Sequence, residues 1–157
     1  MNRGFDVWLG NFRGNKYSHS HVNKNISDKE FFDFSWQEMG ECDLPAIYGY
    51  VLGETRAERL VYAGYSQGTT AMFASMSDVA TSRFIQDRTV KMFMFAPVVF
   101  LTNVGSELLA FAARFKSLVG VAAAGVGLYE ITPSDCSESD IWKKLMEAVC
   151  DLDPTIC

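Results

Sequence analysis

The residue best suited to covalent chemistry is Ser66, at the centre of Gly64–Gly68, which has the form Gly-x-Ser-x-Gly. This pattern is typical of a sharp strand-to-helix turn that exposes the serine hydroxyl at the edge of a sheet. Glycines on both sides are needed because Cβ atoms there would clash with the neighbouring strand and helix. We therefore predict that Ser66 is a nucleophile that accepts an acyl group from a bound ester.

The residue after the serine is predicted to complete the acylation site. A helix is expected to begin after Ser66, so its positive end and its first free backbone N–H, that of Gln67, face the oxygen of a bound carbonyl. A donor in this place stabilises a tetrahedral oxyanion. The backbone N–H of Gln67 is therefore the predicted oxyanion donor.

A serine hydroxyl is a weak nucleophile without a general base, which is normally a histidine held by a carboxylate. In folds with this turn the chain order is serine, acid, histidine. The two histidines, His19 and His21, both precede Ser66. We expect them to be loop residues that make surface hydrogen bonds, with an approach to Ser66 in reversed order as the alternative. The triad is predicted to be incomplete in this chain.

Alternating strands and helices are predicted to position Ser66. Leu60–Ala63 is a continuous apolar run, typical of a parallel strand covered on both faces. Gln67–Met76 and Thr81–Asp87 are predicted helices, and Val90–Ala96 is a second apolar strand that stops at Pro97. This order indicates an α/β layer fold with right-handed crossovers.

The first part of the chain is predicted to form a strand and a loop. Phe5–Leu9 is a short aromatic and β-branched run ended by glycine, which predicts a strand. Gly10–Asn25 is polar and predicts a loop. Asn25 begins a glycosylation sequon, although an ordinary surface loop explains the same three residues.

A helix is predicted to start at Ser35, because Ser35 and Glu38 form the Ser-x-x-Glu pattern of a capping box. The helix is expected to break near Asp43, which can cap a second helix. Pro45 then lies in the first turn of that helix, which is predicted to run to about Leu52.

The end of the chain is predicted to be helical, over Ser106–Leu118 and Ile141–Val149, on the spacing of its apolar residues. Cys42 is expected to be a buried free thiol. Cys150 and Cys157 are close enough in sequence to close a short disulfide loop in an oxidising compartment. Neither a metal site nor a cofactor is predicted, because no Cys-x-x-Cys is present and the histidines are far from the cysteine pair.

Composition narrows the possible functions. The 157 residues are 48% hydrophobic and 21% charged, which suits one soluble globular domain, and the net charge of −5 gives no basis for binding nucleic acid. Two apolar uncharged stretches, Met92–Ser106 and Ser117–Tyr129, are shorter than the roughly 20 residues of a membrane span. Met1–Gly10 lacks the apolar core of a signal peptide.

Several segments of the chain, in this order, resemble the eukaryotic acid lipase family, which includes the gastric and lysosomal acid lipases. The resemblance is carried by Asp6–Asn15, Phe34–Met39, Asp43–Ala46, Gly64–Thr70 and Ala96–Pro97. It implies a partial α/β-hydrolase core over residues 1–104 with the serine turn, followed by the start of a helical cap over residues 105–157. The family's acid and histidine lie downstream of Cys157, so the chain is expected to be an internal part of such an enzyme.

The resemblance also implies a function. A lipase of this family hydrolyses triacylglycerols or cholesteryl esters at a lipid interface, with Ser66 as nucleophile and the Gln67 N–H as one oxyanion donor. Cys150 and Cys157 would form a cap disulfide, and the intact protein would be lysosomal or secreted. The alternatives are a catalytically inactive truncated paralogue that binds lipid or protein, and an acyltransferase on the same scaffold.

Overall fold

The computed structural model describes residues 3–100. Residues 25–32 belong to a compact unit separate from the one that contains residues 3–24 and 33–99. The helices predicted after residue 105, the proposed domain boundary, and the pair Cys150 and Cys157 lie outside the described residues. No helix in the described part of the chain combines the length and the apolar character that a membrane crossing requires.

Two parallel strands and two helices form the centre of the larger unit. Strand β1 is Leu60–Tyr65 and strand β2 is Thr89–Phe95, and the two are paired in parallel. They are connected by helix α4, Gln67–Ser77, and helix α5, Val79–Arg88. The predicted α/β architecture is confirmed, and the two strands and two helices lie within one to two residues of their predicted bounds.

The described residues cover only one of the two faces of the sheet. Tyr62 and Met92 pack against the buried core, whereas Val61, Tyr65 and Phe93 on the opposite face are about half exposed or more. The prediction that β1 is covered on both faces is therefore wrong for residues 3–100. Within residues 3–100 the core that covers Tyr62 is built from helices on that side, so the described part of the chain packs against one face of β1.

The capping box at Ser35 is confirmed. The Ser35 N–H donates to Glu38 Oε2 over 2.6 Å, and the Gln37 N–H donates to Ser35 Oγ over 3.1 Å. Helix α2, Trp36–Glu38, starts there and continues without interruption through a π-helical turn, Met39–Asp43. The capping box thus begins a longer helical segment than the sequence indicated.

The predicted break at Asp43 is wrong. Helix α3, Leu44–Thr55, follows the π-helical turn directly, with Pro45 in its first turn as predicted. Asp43 does not cap α3, because its carboxylate accepts hydrogen bonds from the backbone N–H, Nε and Nη2 of Arg13, over 2.6 to 3.0 Å. This charge-assisted contact raises the pKa of Arg13.

The predicted strand at Phe5–Leu9 is not formed. A strand needs a neighbouring ladder, and among the described residues the only sheet pairs β1 with β2. Trp8 instead packs edge-on against Tyr50 of α3, with 5.9 Å between ring centroids. Cys42 is free as expected but exposed, which contradicts the buried site predicted for it.

Residues 25–32, in the described part of the smaller unit, form a short helix that was not predicted from the sequence. Helix α1, Asp28–Phe31, starts with a capping box between Ser27 and Glu30, the same Ser-x-x-Glu spacing as at Ser35. Ser27 Oγ lies 2.7 Å from Glu30 Oε2, so the hydroxyl of the sequon is already engaged by a carboxylate. Asn25 is exposed just before this helix.

The core of the larger unit joins α3, α4, α5 and the π-helical turn beneath the sheet. Its buried residues are Met39, Leu44, Tyr48, Ala71, Met72 and Ile85. Gly40 permits the closest approach, because a Cβ there would lie 2.6 Å from the Ser75 nitrogen and 2.7 Å from the Ala71 oxygen. The core therefore fixes α4 against both the sheet and the preceding helical segment.

Candidate active site

Ser66 lies alone between the end of β1 and the start of α4. Its φ of 48° and ψ of −112° fall in a sparsely populated region for a residue with a Cβ, at a cost of about 1–3 kcal/mol. The conformation is held by the Ser66 N–H, which donates to Phe95 O of the neighbouring strand over 3.0 Å. The chain thus turns within a single residue from strand into helix.

The hydroxyl of Ser66 does not cap the helix that follows it. Ser66 is in the N-cap position of α4, where a serine side chain commonly accepts a backbone hydrogen bond, but it makes no side-chain cap here. The residue is exposed. Its side chain is therefore accessible to a molecule that approaches this edge of the sheet.

The glycines around Ser66 have different roles. A Cβ on Gly64 would lie 2.8 Å from Tyr62 Cε1, 3.1 Å from the Gly68 carbonyl carbon and 3.2 Å from the Thr69 nitrogen. The expected clash with strand and helix is therefore present at Gly64. Among the described residues, a Cβ on Gly68 would approach the Tyr62 hydroxyl at 3.4 Å, which is an ordinary contact, so the predicted clash is not found there.

The N-terminus of α4 presents a hydrogen-bond donor beside Ser66. Gln67 is the first residue of this 11-residue helix, so its backbone N–H has no intrahelical acceptor and lies at the positive end of the helix dipole. The Gln67 side chain is turned towards the π-helical turn, where Nε2 lies 3.7 Å from Met39 Sδ. The structure therefore places the two sequence-predicted site residues next to one another at one edge of the sheet.

Two threonines tie the first turn of α4 to the chain that follows β2. Thr69 Oγ1 donates to Ser66 O over 2.6 Å and accepts from the Val98 N–H over 2.9 Å. Thr70 Oγ1 donates to Val98 O over 2.9 Å. Ala96, just before this segment, has a positive φ of 45°. Neither threonine was predicted from the sequence to have this role, although both follow directly on the Gly-x-Ser-x-Gly pattern.

Tyr62 contacts the first turn of α4 through its hydroxyl group. Its hydroxyl donates to Gly68 O over 2.8 Å, and its ring stacks on that of Tyr48 with 6.3 Å between centroids. Burial, followed by the nearby Tyr48, raises the pKa of Tyr62 to about 12. Tyr62 therefore remains a neutral donor at physiological pH, and it ties β1 to the second residue of α4.

The histidines lie in the loop before α1, as expected. His21 is exposed, and its Nδ1 accepts from the Asn23 N–H over 3.0 Å, so its ring bonds within its own loop. His19 is exposed as well. In the described part of the chain no three metal-binding side chains come together.

A mostly apolar groove of about 380 Å³ lies between α2, α4 and the segment that follows β2. It is lined by Ser35, Trp36, Gln37, Thr70, Phe73, Ala74, Val98 and Val99. Thr70 is one helical turn after Ser66, so the groove begins close to the serine turn.

Curated proteins that resemble the chain are lipases. Human lipase member J is 40% identical over 116 residues, which cover 74% of this chain and 31% of that lipase. Lipase 1 of Drosophila melanogaster is 41% identical over 118 residues, or 74% of this chain and 26% of the relative. The lysosomal acid lipase/cholesteryl ester hydrolase of Macaca fascicularis is 43% identical over 96 residues, or 61% of this chain and 23% of that enzyme.

The chain is related to the acid lipases. The resemblance predicted from its sequence segments is thereby confirmed, and the unit of β1, α4, α5 and β2 is part of an α/β-hydrolase core. The chain spans about a third or less of the length of these curated relatives. No family model matches it.

Proposed function

We propose that the protein is a serine ester hydrolase of the acid lipase type, with Ser66 as its nucleophile and the Gln67 N–H as an oxyanion donor. The observation that carries the proposal is the backbone of Ser66. A serine with a positive φ, exposed between a parallel strand and a helix, is a costly arrangement that the fold does not use for capping. This geometry is the one that an acyl-accepting serine requires.

The reaction is acyl transfer through the enzyme. Ser66 Oγ attacks the ester carbonyl carbon, the new Oγ–C bond forms, and the charge on the carbonyl oxygen is stabilised by the Gln67 N–H. The C–O bond to the alcohol then breaks, and the alcohol leaves with the proton that Oγ loses. Water cleaves the acyl-enzyme in the second half-reaction and regenerates the serine.

The proposal assigns no general base. His19 and His21 are the only imidazoles of the sequence, and the ring of His21 bonds within its own loop. A serine site without its base retains about 10³–10⁴-fold catalysis over water, from the oxyanion donors and substrate binding. We therefore expect slow acylation of this chain, and rapid turnover only where an imidazole is supplied to Ser66.

The substrates we propose are lipid esters, triacylglycerols or cholesteryl esters. Support comes from the relatives, which are named lipases and, in one case, a cholesteryl ester hydrolase. The exposed apolar side chains of Trp36, Phe73 and Val99 on and beside α4 fit contact with a lipid interface. We further propose that the intact protein acts in the lysosome or outside the cell, on the basis of the lysosomal acid lipase among the relatives.

Acylation with p-nitrophenyl butyrate tests the proposal. Wild-type chain is expected to release up to one equivalent of p-nitrophenolate in an initial phase, and Ser66→Ala to lose this phase. Ser77→Ala is the matched control, because Ser77 is exposed at the other end of the same helix, where its Oγ donates to Ala74 O and accepts from Gln37 Nε2.

Equal release by the wild type and Ser66→Ala would contradict the proposal. It would favour the alternative that the chain is a catalytically inactive paralogue that binds lipid or protein. The release of p-nitrophenolate could depend on Ser66 while the acyl group is transferred to an added alcohol faster than to water. That result would indicate an acyltransferase instead.

A further inference from the structure

Thr69 is completely buried, yet its hydroxyl contacts the serine turn directly. Thr69 Oγ1 donates to Ser66 O over 2.6 Å, and the Thr69 N–H donates to the same oxygen over 2.9 Å. The hydroxyl oxygen also accepts from the Val98 N–H over 2.9 Å, so its position is fixed from a second side. Ser66 O is thus held by two donors of one residue.

The oxygen that Thr69 holds belongs to the peptide unit of the predicted oxyanion donor. In a planar trans peptide the C=O of one residue and the N–H of the next lie in one plane and point in opposite directions. Fixing the direction of Ser66 O therefore fixes the direction of the Gln67 N–H. Hydrogen bonds to a carbonyl oxygen also polarise its amide, which makes the N–H a stronger donor.

We propose that Thr69 is a positioning residue that orients and polarises the Gln67 N–H for oxyanion binding. The inference rests on the proposed function, since it assigns a role in stabilising the acylation transition state. Thr69 touches no substrate in this account. It acts through the Ser66–Gln67 peptide, and the Val98 N–H holds its hydroxyl in place.

Thr70 provides the contrast that separates this role from a structural one. Its Oγ1 donates to Val98 O over 2.9 Å, so it ties the same two segments together. Its hydroxyl bonds to the Val98 carbonyl and not to the Ser66–Gln67 peptide. Thr70→Val therefore removes a hydrogen bond between α4 and the segment at Val98 without touching the Ser66–Gln67 peptide. Thr69→Val also removes the hydrogen bond that orients the Gln67 N–H.

The experiment compares the wild-type chain with Thr69→Val, Thr69→Ser and Thr70→Val. The first readout is the second-order rate constant for labelling of Ser66 by a fluorophosphonate, whose phosphoryl oxygen occupies the oxyanion position. Loss of a complete oxyanion donor costs about 10²–10³-fold in rate, so we expect about a 10-fold loss for a donor that is retained but misaligned in Thr69→Val. Thr69→Ser and Thr70→Val are expected to stay within about threefold of the wild type, on the same scale.

The second readout is the amide proton shift of Gln67, measured by NMR on the same four proteins. Thr69→Val is expected to move this resonance upfield, because the N–H loses polarisation. Thr69→Ser is expected to restore it, and Thr70→Val to leave it close to the wild-type value. Thr69→Ala removes the same hydroxyl with a smaller side chain and replaces Thr69→Val if that protein does not fold.

The outcomes separate the two proposals. Equal labelling rates and equal Gln67 shifts for Thr69→Val and Thr70→Val would overturn the positioning role while leaving Ser66 as the nucleophile. Absence of labelling in the wild-type chain would overturn the hydrolase function and, with it, the catalytic role of Thr69. A specific loss in Thr69→Val that serine rescues supports both.

Discussion

Gly64→Ala tests whether close packing of β1 against α4 maintains the serine turn. The new Cβ would lie 2.8 Å from Tyr62 Cε1 and 3.1–3.2 Å from backbone atoms of Gly68 and Thr69. The Tyr62 ring has little room to retreat, because its hydroxyl is bonded to Gly68 O and its face stacks on Tyr48. The first turn of α4 must therefore move away from β1 by a few tenths of an ångström.

Overpacking of this kind costs about 1–3 kcal/mol, and with the Tyr62 ring and the α4 backbone both close to the new Cβ we expect about 2 kcal/mol for Gly64→Ala, or about a 30-fold rise in the unfolded fraction. The displacement also moves the Gln67 N–H relative to Ser66 Oγ. Since misplacement by 1 Å can cost about 10²-fold in rate, we expect fluorophosphonate labelling of Ser66 to fall at least about 10-fold.

Urea unfolding and the labelling rate are measured on the wild type, Gly64→Ala and Gly53→Ala. Gly53 lies in α3 with no atom within 4 Å of an added Cβ, so its replacement is expected to raise the free energy of unfolding by about 0.5–1 kcal/mol without changing the labelling rate. If Gly64→Ala is as stable as the wild type and labels at the same rate, the packing argument for the turn is wrong.

Three further predictions follow from the packing and the shifted pKa values. Gly40→Ala places a Cβ 2.6 Å from a backbone nitrogen of α4 and is expected to lower the free energy of unfolding by about 3 kcal/mol in urea melts, whereas Gly49→Ala, with open space around it, should raise it by about 0.5–1 kcal/mol. Hydrogen bonds from Ser35 lower the pKa of Glu38 below 4.5, so the stabilising effect of the Glu38 carboxylate is present at neutral pH and is lost as the pH falls through its folded-state pKa. In this acid range the free energy of unfolding of Glu38→Gln should depend less on pH than that of the wild type. An identical pH profile for the two proteins would contradict the capping assignment. The pKa of Tyr62 is raised from 10.0 to about 12, so the contribution of its neutral hydroxyl to stability is present below pH 10 and is lost as the pH rises towards 12. Tyr62→Phe should therefore be less stable than the wild type at pH 7 but lose less stability in alkali. A parallel loss in both proteins would argue against burial as the cause of the raised pKa.

Local signals in the sequence located most of the elements around the candidate site. The capping box at Ser35 and the apolar runs of β1 and β2 depend on neighbouring residues, so their patterns predict the structure directly. The same local signal was present at Ser27 and Glu30, where it was overlooked.

Long-range contacts account for the errors. Asp43 carries the sequence signal of a cap, but Arg13, thirty residues earlier, takes its carboxylate, and the chain continues through a π-helical turn. Phe5–Leu9 has the composition of a strand but no partner strand among the described residues, and Trp8 packs on Tyr50 instead. No pattern within either segment reports such distant partners.

The candidate site also combines features that depend on local sequence with features that depend on distant contacts. Ser66 and Gln67 could be selected from the sequence because the Gly-x-Ser-x-Gly pattern fixes a local backbone geometry. The contribution of Thr69 could not, because it depends on the direction of a carbonyl group and on Val98 in a segment that follows the next strand. Serine and threonine hydroxyls often bond to nearby helix carbonyls, so the residue type alone carries little information.

The most direct test of the account is the location of the covalent adduct after treatment with a fluorophosphonate. Trypsin releases Leu60–Arg83 as one peptide, which contains Ser66 together with Ser75, Ser77 and Ser82. We predict that fragment-ion mass spectrometry places the adduct on Ser66 alone, and that Ser66→Ala removes it while Ser77→Ala does not. An adduct on another serine of this peptide, or none in folded protein, would contradict the claim that this turn holds an acyl-accepting serine.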